Sequence, residues 1–92
     1  MPKLTTTELQ TALQARSAWA LEGEMLTRTF QFDGFVAAIA FVNRVAEYAE
    51  QAAPHPDIDI RYNRVRIALT THDDGGISEK DIALAAQLDG IE

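Results

Sequence analysis

DIDIRYNRVRIALTTH, residues 57–72, is the stretch that decides the fold. Ile58, Ile60 and Tyr62 share one parity, and Val65, Ile67, Leu69 and Thr71 share another. Alternation of apolar side chains with period two marks two half-buried strands. The turn between them must fall near Tyr62-Asn63, where asparagine tolerates the left-handed backbone that tight turns use. Folding the chain there sets His55 opposite Thr70 and brings His72 level with residues 53 and 54. Both histidines of the chain therefore reach the same end of one hairpin, on strands that lie about 4.8 Å apart.

The flanking segments complete the order of elements. TTTELQTALQA (5–15) opens with Thr5 and Glu8 in a capping-box pattern and places Leu9, Ala12 and Leu13 on one helical face, so a helix is expected to fade by Ser17. WALEGEMLTRTFQF (19–32) reads as a hairpin turning at Glu22-Gly23, with Phe30 and Phe32 toward the core and Trp19 as a packing residue. From Asp33, a natural N-cap, a long helix carries an apolar stripe of Phe35, Ile39, Val42, Val45 or Ala46, and Ala49. Pro54 ends it, because its ring lacks a donor and pushes Ala53 out of the helical region. DDGG (73–76) is a loop, and Ser78 with Asp81 three positions later opens a last helix bearing Ile82, Ala85, Ala86 and Leu88. The result is an α+β domain over residues 1–92: a four-stranded antiparallel sheet with three helices packed on one face, in the order α-β-β-α-β-β-α.

Composition narrows the class of function. The chain has 92 residues, 47% of them hydrophobic, and a net charge of −6, which argues against a nucleic-acid backbone as partner. It has no cysteine, so disulfides and thiolate metal sites are excluded. The N-terminal MPKLTTTELQ has no apolar core of a signal peptide, and no run of 18 apolar residues occurs, so a soluble cytoplasmic protein is expected. A domain this small buries a modest share of its surface, which points toward an oligomer.

The chemistry gathers where the histidines do. Imidazole gives and takes protons near neutral pH. Glu50, about a turn before Pro54, can reach the same corner, and a carboxylate beside an imidazole raises its pKa or fixes its tautomer. Backbone groups of Thr70 and Thr71 can hold a planar ligand edge, and Asp81 can supply a second carboxylate after the loop turns back. Each residue also has an ordinary reading: a strand-end histidine is commonly a surface residue, Asp81 belongs in the Ser78 capping box, Glu50 is a solvated helix residue, and threonines form strands. Two imidazoles and a distant carboxylate make an incomplete metal site, so no metal is expected.

These residues also carry a family pattern. Glu50, three spacers, Pro54-His55-Pro56, five spacers, Tyr62, nine spacers, His72, and Asp81 nine positions further on resemble the signature of the pterin-4a-carbinolamine dehydratases. FQFDGFVAAIAFVNRVAEYAE (30–50) and YNRVRIALTTHDDGGISEKDI (62–82) extend the likeness over nearly the whole chain. The resemblance implies dehydration of 4a-hydroxytetrahydropterin to quinonoid dihydropterin, which recycles the cofactor of aromatic amino-acid hydroxylases and uses no metal or organic cofactor. It implies His72 as a general acid/base, His55 as a residue that binds and orients the pterin, and Glu50 and Asp81 in support, with Asp81 counted among the catalytic set. Thr70 and Thr71 would line the substrate through their backbone. It further implies homodimers or homotetramers. The departure is Pro54, which stands where the family has the first His of a His-His-Pro motif. The second reading that this opens is a catalytically impaired relative with a protein client, of the RuBisCO-assembly kind.

Overall fold

The computed structural model describes residues 3–52, 55–71 and 75–91. The elements run α1 (Thr6–Ala15), β1 (Ala20–Glu22), β2 (Met25–Gln31), α2 (Phe35–Ala52), β3 (Asp57–Arg61), β4 (Arg64–Leu69) and α3 (Glu79–Asp89). The expected order of three helices and four antiparallel strands is the observed one. The strands lie in the order β1-β2-β4-β3, so the two hairpins join through β2 and β4 at the centre of the sheet.

The β3–β4 register is the one that the alternation required, running from Asp57↔Ala68 to Arg61↔Arg64. Its turn sits at Tyr62-Asn63, but the residue with the left-handed backbone is Tyr62, at φ 54°. Asn63 does a different job. Its side-chain amide donates to the Phe32 carbonyl at 2.9 Å while its own carbonyl accepts from the Phe32 N–H at 2.9 Å, which extends the β2–β4 ladder past Gln31↔Arg64. The first hairpin turns one residue later than expected. Glu22 pairs with Met25, so Gly23-Glu24 forms the turn, and Gly23 supplies the φ of 61° that a side-chain-bearing residue rarely adopts.

One face of the sheet carries the core. Leu26 and Phe30 of β2 and Val65, Ile67 and Leu69 of β4 pack with Ala38, Phe41, Val45 and Ala49 of α2 and Leu84, Ala85 and Leu88 of α3. The expected α2 stripe holds at Val42, Val45 and Ala49 but differs toward its start: Phe35 lies half exposed at 51%, while Phe41 is buried and meets the rings of Phe30 and Phe32 at 4.5 and 5.0 Å. The first bond into this helix runs from the Ala38 N–H to the Gly34 carbonyl, so the helix begins after Gly34 and not at Asp33. The difference arises because α2 has apolar residues on most of its circumference. Periodicity gives its amphipathic character, but the aromatic pocket on the sheet sets its rotation.

Two carboxylates mark the ends of α3. Asp89, at its C-terminal end, accepts from the Trp19 indole N–H at 2.8 Å, pairs with Arg28, and lies 3.5 Å from the Arg16 guanidinium. Arg28 also stacks over the Phe30 ring at 4.1 Å. This knot ties the end of α1, the entry to β1, strand β2 and the last helix together. Asp81, at the other end, is described next.

Candidate functional site

The site is built where β4 ends, β3 begins and α3 starts. The capping-box spacing places Asp81 at the third position of α3, and the chain's return after Gly75, with its φ of 80°, brings that helix start against Thr71. Thr71 and Gly76 exchange backbone hydrogen bonds in both directions, at 3.0 and 3.2 Å, which closes the loop between them. The backbone of Thr71 is thus already engaged. Its side chain is too: the hydroxyl donates to Asp81 Oδ2 at 2.8 Å and lies 2.9 Å from the Ser78 hydroxyl. The Ser78 backbone N–H donates to the same Oδ2 at 3.0 Å.

Asp81 and Ser78 are both fully buried. A buried carboxylate is held by hydrogen bonds or by charge, and here two donors converge on one oxygen. The other oxygen, Oδ1, is buried and has no hydrogen-bond partner among the described residues. No lysine or arginine among the described residues pairs with it, in contrast to Asp89.

Glu50 and His55 come together as the sequence implied, but at the surface. His55 Nε2 stands 3.8 Å from Glu50 Oε2, with side chains 79% and 83% exposed. A long pair in full solvent contributes little to stability. It leaves the imidazole open to a ligand. The ladder ends at Asp57↔Ala68, so His55 precedes the strand by two residues, and Thr70, just past β4, is half buried. His72 and Pro54 lie outside the described residues. The structure therefore brings Glu50 to His55 and Thr71 to Asp81. Among the described residues, no group of three or more His, Asp or Glu side chains is arranged to hold a metal ion.

Ser78 is the residue that sequence reasoning underused. Its capping position was legible, but its hydroxyl turns to Thr71, seven residues back across the loop. The signal for that contact is the pairing of Thr71 with Gly76, which no local pattern announces.

Comparison with known proteins gives this site its context. The chain belongs to the pterin 4 alpha carbinolamine dehydratase family, which it matches over residues 2–91. A Chloroflexus aurantiacus protein named "Putative pterin-4-alpha-carbinolamine dehydratase" is 58% identical over 99% of this chain and 98% of its own. A protein of the same name from Acidobacterium capsulatum is 52% identical over 99% of both chains. Among solved structures, a transcriptional coactivator/pterin dehydratase from Brucella melitensis superposes with a TM-score of 0.92, at 38% identity over 97% of each chain. A pterin dehydratase-like protein identified as a RuBisCO assembly factor in the alpha-carboxysome superposes with a TM-score of 0.69, at 27% identity over 80% of this chain and 88% of its own.

Proposed function

We propose that this protein dehydrates 4a-hydroxytetrahydropterin to quinonoid dihydropterin and water, at the corner formed by the end of α2, the start of β3 and the end of β4. The observation that carries this reading is the β3–β4 register. Continued by two residues past Asp57↔Ala68, that register would bring His55, with Glu50 3.8 Å away, toward Thr70, the neighbour of the Thr71 that donates to Asp81.

The reaction breaks the C4a–oxygen bond. The leaving hydroxyl takes up a proton and departs as water, while a ring nitrogen loses its proton, so one proton is given and one taken. Groups that titrate near neutral pH suit both steps. His72 carries the general acid/base role, and the exposed His55 binds and orients the pterin with Glu50 fixing its tautomer. Asp81 is fully buried, so its part is to hold Thr71 and the residue that follows it, without touching the pterin. Pro54 has no proton to exchange. Losing one of two proton carriers costs ~10²–10⁴-fold in such catalysis, so the expected rate is reduced.

The test is the rate of carbinolamine dehydration by purified protein, alongside His72→Ala and Pro54→His. Acceleration over the spontaneous reaction that falls in His72→Ala and rises in Pro54→His supports the reading. A rate equal to the spontaneous one in all three proteins rejects it. A second reading is favoured by Pro54 together with the likeness to the assembly factor: a protein that keeps the fold for a RuBisCO-type client. Recovery of RuBisCO subunits on the immobilised protein, with no dehydration, would establish that reading instead.

A homodimer or homotetramer fits either reading. Strand β3 is an edge of the sheet, and Ile58, Ile60, Tyr62, Phe35 and Val36 expose apolar surface. An unpaired edge with apolar side chains is a template for a second chain. Light scattering of the purified protein reads the assembly directly. A cytoplasmic location accords with recycling a soluble pterin, and no helix among the described residues is long and apolar enough to cross a membrane.

A further inference from the structure

We propose that Ser78 is a positioning residue for the reaction: its hydroxyl drives a one-way chain of hydrogen bonds that leaves Asp81 Oδ1 as the carboxylate's single open acceptor. The inference rests on the dehydratase reading above. It follows from counting protons. Thr71 has one hydroxyl proton, and a carboxyl oxygen that carries no proton only accepts. The 2.8 Å contact between Thr71 Oγ1 and Asp81 Oδ2 therefore uses that proton. The 2.9 Å contact between the two hydroxyls must then take its proton from Ser78. The order is fixed: Ser78 Oγ–H to Thr71 Oγ1, and Thr71 Oγ1–H to Asp81 Oδ2. With the Ser78 N–H at 3.0 Å, Oδ2 has two donors.

The consequence lies on the other oxygen. Oδ1 is buried with no partner among the described residues, an arrangement that costs stability if no donor ever meets it. A fold that saturates Oδ2 and leaves Oδ1 open presents one acceptor of defined direction to an N–H or O–H donor. Chains of hydrogen bonds polarise one another, so the Ser78 hydroxyl tunes the acceptor strength of a carboxylate oxygen that it does not touch. A plain helix cap uses the Ser78 hydroxyl only as an acceptor and has no need of its contact with the Thr71 hydroxyl, seven residues back.

The experiment compares the full chain with Ser78→Ala and Ser78→Thr. The expected result for Ser78→Ala is a fall in kcat of about tenfold, below the ~10²–10⁴-fold of removing a direct proton carrier. KM changes little, the limb of the pH–rate profile shifts, and Ser78→Thr recovers most of the rate. A lowered Tm with kcat and pH profile unchanged overturns the proposal, since that is the signature of a cap alone. If Ser78→Ala fails to fold, Thr71→Val breaks the same chain with little change of shape, and an unaltered pH profile there overturns it equally. If the wild-type protein shows no dehydration, the functional reading falls and the chain is read by NMR titration of the Asp81 carboxyl carbon, assigned with Asp81→Asn. An upward shift of that titration in Ser78→Ala supports the directed chain, and identical curves reject it.

Discussion

The two carboxylates of α3 occupy opposite ends of one helix and are treated in opposite ways. Asp89 is surrounded by cations and an indole: Trp19 donates to it, Arg28 pairs with it, and Arg16 stands 3.5 Å away. Asp81 is more deeply buried and has only neutral donors on one of its oxygens. Charge pairing satisfies Asp89 and joins four elements, so its role ends in stability. Asp81 is satisfied on one side and open on the other, a buried acceptor with no hydrogen-bond partner among the described residues.

Substitutions that separate these roles test the contrast. The largest expected effect is on activity in Asp81→Ala: dehydration falls by about 10²-fold or more as the support behind Thr71 is lost. Stability falls by roughly 1–3 kcal/mol as the Thr71 hydroxyl and Ser78 N–H lose their acceptor. Steady-state kinetics and urea unfolding measure the two separately. A stability loss with unchanged kcat would make Asp81 a second Asp89. Asp89→Ala is expected to show the reverse. Removing the acceptor of the Trp19 indole and one partner of Arg28 lowers stability by about 1–3 kcal/mol, with kcat per folded molecule unchanged. Trp19→Phe isolates the indole bond within that knot at about 1 kcal/mol, since the ring packing against Phe30, at 6.1 Å and edge-on, is retained in kind.

The smallest expected effect concerns the exposed sheet face, away from both carboxylates. A hydrogen bond from Thr27, with a second from Arg66, holds Glu22 below its ordinary value of 4.5, and a hydrogen bond from Arg61 holds Asp59 below 3.8. A carboxylate whose pKa is lowered on folding contributes stability above its unfolded pKa and loses it as pH falls through the folded one. Urea midpoints should therefore be flat above about pH 5 and decline below it, less steeply in Glu22→Gln. An equal decline in both proteins would place the acid sensitivity elsewhere.

Much of the fold was legible in the chain. The alternation from Ile58 to Leu69 fixed the second hairpin and its register, and Thr5 with Glu8 and Ser78 with Asp81 fixed two helix starts, because these signals act over two to four residues. The nearness of Glu50 and His55 followed from Glu50 lying about one turn before the helix end. The turn at Gly23-Glu24 and the start of α2 after Gly34 were each displaced by about one residue, the usual uncertainty of boundaries set by local turn energetics.

Other features were not legible, and the reason is physical. Arg28 shares the parity of Leu26 and Phe30, and the pattern alone does not show that a charged side chain can face the core. It does so because Asp89, far along the sequence, meets it there. Phe41 was hidden in a helix apolar on most sides until the rings of Phe30 and Phe32 selected its face.

The sequence by itself determined the elements, their order and the hairpin register. Periodicity and capping are short-range properties that survive without knowledge of neighbours. Only the tertiary structure decided how α2 is rotated, which acid is tied to arginines, and which acid keeps one oxygen open. Those outcomes depend on burial and on hydrogen-bond partners many residues apart, and both exist only once the helices lie on the sheet.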